Sequence, residues 1–302
     1  MSGGLVMLCD VDLARADATR IHTIEVAHGF AVEGLAVDLV ARGPDPGISG
    51  VRYERAEGSD WQRVRRIATI NFLTIRLLWK RRRVVKRLYV RHSWSIMPVV
   101  IAARMLGYRV VSQIDGIPYG RGFEGDIPLL ADYAKRLMLV VMGRLAHGTV
   151  AITSRIKDLL VDQYRFSSEH IAVLPNGANV DFFVPMSRTE AIDRVELDPT
   201  QSYVVFCGGF HPWVDFDLIL EAFALVHRQW PGARLLLVGD GVERDRIEQV
   251  ACNLQIRDAV VITGVIHDRT KVRDYLGSAV VTLVAYHSIV NRSGALPRKL
   301  AE

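Results

Sequence analysis

Two glycine-bearing turns in this sequence sit where they could meet a phosphate. The apolar run Val204-Val205-Phe206-Cys207 leads into Gly208-Gly209, and a helical stretch, Asp217–Trp230, follows within a few residues. A glycine turn between a buried strand and a helix lets backbone N–H groups and the positive end of the helix dipole face a diphosphate. The same residues also read as a plain strand–helix turn. Gly239-Asp240-Gly241 closes a second apolar run, but a lone G-x-G marks little more than a tight turn. A dinucleotide-binding oxidoreductase would carry G-x-G-x-x-G after its first strand. Here Asp10-Val11-Asp12-Leu13-Ala14-Arg15 follows Cys9. A bulky acidic turn keeps a pyrophosphate away from the backbone, so hydride chemistry on a dinucleotide is excluded. Cys9, Cys207 and Cys252 share no metal-ligand spacing. They read as reduced packing residues, and neither a metal nor a cofactor is expected.

Charge is unevenly distributed. The net charge is +5, yet between Trp61 and Ile114 there are thirteen Lys and Arg and no acidic residue. The densest part is Arg76-Leu77-Leu78-Trp79-Lys80-Arg81-Arg82-Arg83-Val84-Val85-Lys86-Arg87. Basic residues interleaved with Phe72, Leu77, Leu78 and Trp79 fit a helix lying on an anionic membrane surface, or a solvated basic face. No nucleic-acid-binding motif accompanies the charge, so no nucleic-acid partner is expected. Met1 to Leu8 lacks a signal-peptide pattern and no apolar run is long enough to span a bilayer, which makes the cytoplasm, or the inner face of its membrane, the expected location.

The elements that must position these residues alternate short β-branched runs with longer amphipathic ones, the grammar of parallel sheets with crossover helices. Expected strands in the first half are Leu5–Cys9, Ala36–Ala41, Val51–Arg55, Val85–Val90, Arg109–Ile114, Thr149–Ile152 and Ile171–Leu174. The pattern restarts after a polar connection, Pro185 to Gln201, with strands Tyr203–Cys207, Arg234–Val238, Val260–Thr263 and Val280–Ala285. The fold class is α/β with two Rossmann-like doubly wound domains, residues 1–184 and 185–302. The fourth strand of the second should pair with its first. A full six-strand sheet would need two more, so the second domain is expected to be incomplete and to leave Val280–Ala285 as an open edge.

Several of these stretches together resemble the retaining GT-B glycosyltransferases of the glycosyl transferases group 1 family, family 4. Val204 to Ala224 is similar to the opening of the family's donor domain. Leu235-Leu236-Leu237-Val238-Gly239-Asp240-Gly241 and Val261-Ile262-Thr263-Gly264-Val265 resemble its next two strand–turn units. Leu296-Pro297-Arg298-Lys299-Leu300-Ala301-Glu302 looks like the family's "S-P-x-K-L-x-E" helix. Ile171 to Gly177 and Asp181 to Pro185 match its "I-x-V-I-P-N-G-x-D-x-x-x-F-x-P" stretch. The resemblance implies transfer of a sugar from a nucleotide-diphosphate donor to a glycan or lipid-linked acceptor, with retention and without metal.

It further implies a donor site of Gly208, Gly209, Trp213, Asp240, Gly241, Val265, Ile266, Lys299 and Glu302. Glu302 would hold the ribose hydroxyls, and the backbone at Val265-Ile266 would meet the base. On the acceptor side, Asp115 lies in the loop that the family uses beside the reacting sugar, with Glu124 as a second polar candidate. Asp115 before Gly116 also reads as a turn-stabilising residue. His22 joins them if the helix Ala18–Glu33 lies as in the family. Departures are specific. The Arg and Lys that neutralise the donor diphosphate in much of the family are Gly209 and Val214 here, and Asp215 adds a negative charge where a glycine is usual. Lys299 and Arg292 are the nearest compensation in sequence. A non-catalytic GT-B protein and a nucleotide-sugar epimerase remain as alternatives.

Overall fold

The computed structural model describes residues 3–15, 18–57, 63–117 and 129–287. The chain divides into two compact units between Asn176 and Gly177. In the first unit the order is β1 (Gly4–Asp12), α1 (Ala18–Val32), β2 (Ala36–Arg42), β3 (Val51–Ala56), α2 (Arg63–Arg81), β4 (Val85–Arg91), α3 (Met97–Met105), β5 (Arg109–Ile114), α4 (Leu129–Leu145), β6 (Gly148–Ala151), α5 (Ser154–Asp162) and β7 (Ile171–Val173). All seven strands are parallel and lie in the order β3-β2-β1-β4-β5-β6-β7.

Alternation along β1 explains why the sheet is covered on both faces. Leu5, Met7, Cys9 and Val11 pack with Ala27 of α1, while Val6 and Leu8 pack with Ile70 and Leu78 of α2 and Val99 and Val100 of α3. Strands buried on both sides, such as β1 and β2, read as nearly unbroken apolar runs, and all seven expected strands are found within a few residues of their positions, although β3 is largely exposed. Cys9 is buried, and burial pushes its thiol up to about 11, as suits an inert packing residue. Cys252 corrects the packing expectation, because it is exposed on the second unit's surface. Among the described residues no helix is long and apolar enough to cross a membrane.

The second unit contains α6 (Arg188–Arg194), β8 (Ser202–Cys207), α7 (Phe216–Gln229), β9 (Ala233–Val238), α8 (Arg244–Asn253), β10 (Val260–Gly264), α9 (Arg269–Gly277) and β11 (Ala279–Thr282). Its described sheet is parallel in the order β10-β9-β8-β11. The fourth strand does pair with the first, Ala279 opposite Tyr203. It is shorter than Val280–Ala285 because the chain leaves β8 after Leu283. Asp215 N donates to Ala285 O at 3.2 Å and His287 N to Trp213 O at 3.1 Å, so residues 285–287 pair with the loop before α7 instead. Val280 and Val281 are exposed.

The polar connection Pro185 to Gln201 is not only a connection. It contains α6, whose Ala191 and Ile192 are buried. Arg188 ties it down, donating to Ser278 O at 3.2 Å and Gln201 O at 2.7 Å, and Arg194 lies 3.6 Å from the buried Asp274 of α9. If α6 is a packed element, Ile192→Ala should destabilise the second unit by about 2–4 kcal/mol. Urea unfolding followed separately in the two units should show a lowered midpoint in the second alone.

Candidate functional site

In the first unit the chain leaves β1 toward β2 on one side and β4 lies on the other, so the strand order reverses between β1 and β4. Open parallel sheets bind ligands outside the carboxyl ends of their strands at such a point. A cavity of about 250 Å³ lies there, lined by Asp10 and Val11 from β1, Thr19 from α1, Arg91, His92 and Ser93 at the end of β4, and Asp115 and Gly116 after β5.

Asp115 is therefore in the cavity and not merely a turn residue. Arg91 Nε donates to its Oδ2, and Gln113 Nε2 donates to its Oδ1 at 2.5 Å. The same amide nitrogen lies 2.7 Å from His22 Nε2, so α1 does bring His22 to the site. Asp10 is held by Ser95 Oγ at 3.0 Å and lies 3.4 Å from Arg42 Nε. The second acceptor-side candidate, Glu124, lies outside the described residues.

Arg91, His92 and Gln113 were not singled out in the sequence. The available signal was position: Arg91 ends a central strand and His92 follows it, and Gln113 is two residues before Asp115. His92 is kept neutral by burial, which lowers it to about 4 against a smaller opposing pull from Asp115. Its Nδ1 is buried without a hydrogen-bond partner among the described residues.

The second unit gathers its candidates at the carboxyl ends of β8, β9 and β10, and two of the loops lock together. Gly208 N donates to Val238 O at 2.8 Å and Phe210 N to Asp240 O at 2.9 Å. Gly239 has φ +144°, and a Cβ there would run into the Gly208 carbonyl, while one at Gly241 would run into the Phe210 backbone. The third loop joins through a bridge between Gly239 and Gly264, placing Val265 and Ile266 beside the others. Asp240 folds inward, accepting from Gly241 N at 2.8 Å and Arg244 Nη1 at 2.9 Å. Trp213 stacks on His211, ring centroids 4.1 Å apart. Lys299, Glu302 and Arg292 lie outside the described residues.

This geometry corrects the simple phosphate-cradle expectation for Gly208-Gly209. The Gly208 amide is engaged by Val238, leaving the Gly209 amide without an acceptor among the described residues. The α7 N-terminus is also occupied, because Asp215 is its N-cap and accepts from Leu218 N at 3.1 Å. Its other oxygen lies 3.3 Å from His287 Nδ1. Val214 is buried.

The basic segment is corrected in one respect. Leu77 and Leu78 belong to the core, so they are not available to a lipid surface. The exposed apolar side chains of α2 are Val64, Phe72 and Trp79, with Arg82 stacked on the Trp79 ring at 3.8 Å. Arg81 is turned inward to the buried Asp38, 3.3 Å away.

A sequence profile described as Glycosyltransferase Family 4 matches residues 19–182, more than half of the chain. The chain belongs to this family. Residues 201–302 match a second profile, Glycosyl transferases group 1. A D-inositol 3-phosphate glycosyltransferase of Segniliparus rotundus is 33% identical over 146 residues, 46% of this chain and 31% of that protein. A GDP-mannose-dependent alpha-(1-6)-phosphatidylinositol dimannoside mannosyltransferase of Mycobacterium tuberculosis is 31% identical over 119 residues, 39% of this chain and 30% of that protein. The chain thus spans under a third of the length of either relative. The crystal structure of Anabaena HepE in complex with UDP superposes with a TM-score of 0.68 at 14% identity, covering 92% of this chain and 73% of that one. The fold of this family 4 chain is accordingly GT-B, with an α/β sheet in each unit.

His92 gives the family 4 chain a measurable acid response. Its folded pKa of about 4 lies below the ordinary histidine value of 6.5. Protons therefore bind the unfolded chain first, and stability present above pH 6.5 is lost as pH falls toward 4. The loss should approach 3 kcal/mol, taking about 1.4 kcal/mol per pH unit. Denaturant titrations of wild type and His92→Gln across this range should show the slope flattened in the variant.

Proposed function

We propose that this family 4 chain is a retaining glycosyltransferase, which moves a sugar from a nucleotide-diphosphate donor to a glycan or lipid-linked acceptor. The observation that carries this reading is Asp115, set in the switch-point cavity with one oxygen held by Arg91 and the other by Gln113. A carboxylate engaged on both oxygens is poorly placed to act as a nucleophile. Its remaining lone pairs suit hydrogen bonds from sugar hydroxyls. The bond between the anomeric carbon and the diphosphate oxygen then breaks with charge building on the leaving group. Stabilising that charge is the main electrostatic task, and in the second unit the Gly209 amide is one described N–H available for it. The acceptor hydroxyl attacks from the face the diphosphate leaves, and its proton passes to a phosphate oxygen.

The relatives support a nucleotide-sugar donor, since one is named for GDP-mannose and HepE was crystallised with UDP. The M. tuberculosis relative also supports a lipid-linked acceptor, because its named substrate is a phosphatidylinositol dimannoside. Calorimetric titration with UDP, GDP and ADP, followed by transfer assays with the matching radiolabelled nucleotide sugars, tests the proposal. Binding of none of the three nucleotides would overturn it.

A second reading, a GT-B protein that binds a nucleotide without transferring, is favoured by the donor loop. Val214 is buried and Asp215 places its charge at the α7 N-terminus, the end that would otherwise attract a diphosphate. Binding without transfer of any label would select it. The same loop offers a cleaner probe. Asn caps helices as well as Asp does, so Asp215→Asn should preserve stability while removing the repulsion. The variant should bind UDP or GDP more tightly by about fivefold, ~1 kcal/mol. An unchanged dissociation constant would place Asp215 away from the phosphates.

For a lipid-linked acceptor, the exposed face of α2 is proposed as a peripheral membrane contact, with Phe72 and Trp79 inserting shallowly beside Arg76 and Lys80, and with Arg83 just past the helix. Each basic residue near an anionic surface contributes about 1 kcal/mol, screened by salt. Sedimentation should show salt-sensitive binding to vesicles containing phosphatidylglycerol and none to phosphatidylcholine vesicles, with Trp79→Ala weakening the former. Equal binding to both vesicle types would rule the contact out.

A further inference from the structure

Gln113 is 2% exposed and stands at the centre of a hydrogen-bond chain that no single neighbour explains. The Tyr89 hydroxyl donates to its Oε1. Its Nε2 reaches Asp115 Oδ1 at 2.5 Å and His22 Nε2 at 2.7 Å. The carboxylate fixes which end of the amide is which. A carboxylate only accepts, so turning the amide over would press its carbonyl oxygen against Asp115, whereas the Tyr89 phenol, able to donate or accept, donates to the Oε1 so placed. With the amide so oriented, one Nε2 hydrogen goes to Asp115 and the other to His22. His22 Nε2 must then be the acceptor, which puts the proton of the neutral ring on Nδ1.

Resting on the reading of Asp115 as the sugar-facing group, we propose that Gln113 is a positioning residue, which locks the Asp115 carboxylate and sets His22 as its Nδ1–H tautomer with Nε2 as acceptor. The lock spans three elements, because Tyr89 lies on β4, Gln113 on β5 and His22 on α1. Arg91 holds the second oxygen of Asp115, so the plane of the carboxylate is set from two sides. A group that must meet sugar hydroxyls loses little entropy on binding if it is already fixed.

The experiment reads the tautomer directly, in the full chain labelled with ¹⁵N-histidine, at a pH where the ring is neutral. Long-range ¹H–¹⁵N correlation spectra, with His22 assigned through His22→Gln, should show Nδ1 protonated and Nε2 bare. In Gln113→Leu the majority form should change to Nε2–H, the form an unconstrained imidazole prefers. Tyr89→Phe is close to isosteric and guards against misfolding of the first variant. It should give a mixture of the two forms. An Nε2–H ring in the wild type, or the same tautomer in wild type and both variants, overturns the proposal. In transfer assays Gln113→Leu should lower kcat by ~100-fold with donor KM within about twofold. A changed tautomer with unchanged kcat also overturns the positioning role. Absence of transfer by the wild type would defeat the glycosyltransferase reading, while the tautomer measurement would still decide what Gln113 does.

Discussion

Strand β1 is flanked on both sides, by β2 and by β4, and the first unit depends on that double pairing. The pairing requires β1 to be apolar on both faces, which Val6 and Leu8 supply on one and Leu5, Met7 and Cys9 on the other. It also forces the chain to cross the sheet after β3, and the crossing leaves a gap above the carboxyl ends of β1 and β4. The polar side chains at those ends are then brought together by backbone topology rather than by sequence proximity. Asp10, Arg91 and Asp115 come from three different strand ends and line one cavity.

The same sheet restrains the basic helix. Asp38 on β2 is 1% exposed and has Arg52 Nε at 2.6 Å and Arg81 Nη2 at 3.3 Å. A buried carboxylate without cations would be costly, so the last turn of α2 is drawn to the sheet. Leu77 and Leu78 follow it into the core. The residues left outside, Trp79 and its basic neighbours, are thus presented on a fixed scaffold.

Which parts were legible follows from how far their causes extend along the chain. Doubly buried strands announce themselves locally, as in Leu235–Val238, and so most strands are legible in the sequence, while the pairing of β11 with β8 follows from doubly wound topology. The helix α6 could not, because its apolar side is little more than Ala191 and Ile192 among polar residues, and it is held by arginine contacts to distant carbonyls. Asp115 was found through likeness to a family loop. His22 entered through the same likeness, but Arg91 and Gln113 did not, and the contact of Gln113 with His22, 91 residues away, exists only in three dimensions. The glycines of the second unit's loops misled in another way. Gly208-Gly209 looked like a phosphate turn, yet the Gly208 amide is committed to Val238 and the absence of side chains at Gly239 and Gly241 serves loop-on-loop packing.

That packing has an evolutionary consequence. Because Gly239 abuts the Gly208 carbonyl and Gly241 abuts Phe210, the two loops share one backbone surface with no slack between them. Neither can drift in sequence alone: a change that reshapes one becomes tolerable only after a matching change in the other. Sequence change in these loops should therefore come in paired steps, with epistasis concentrated between positions 208–210 and 239–241.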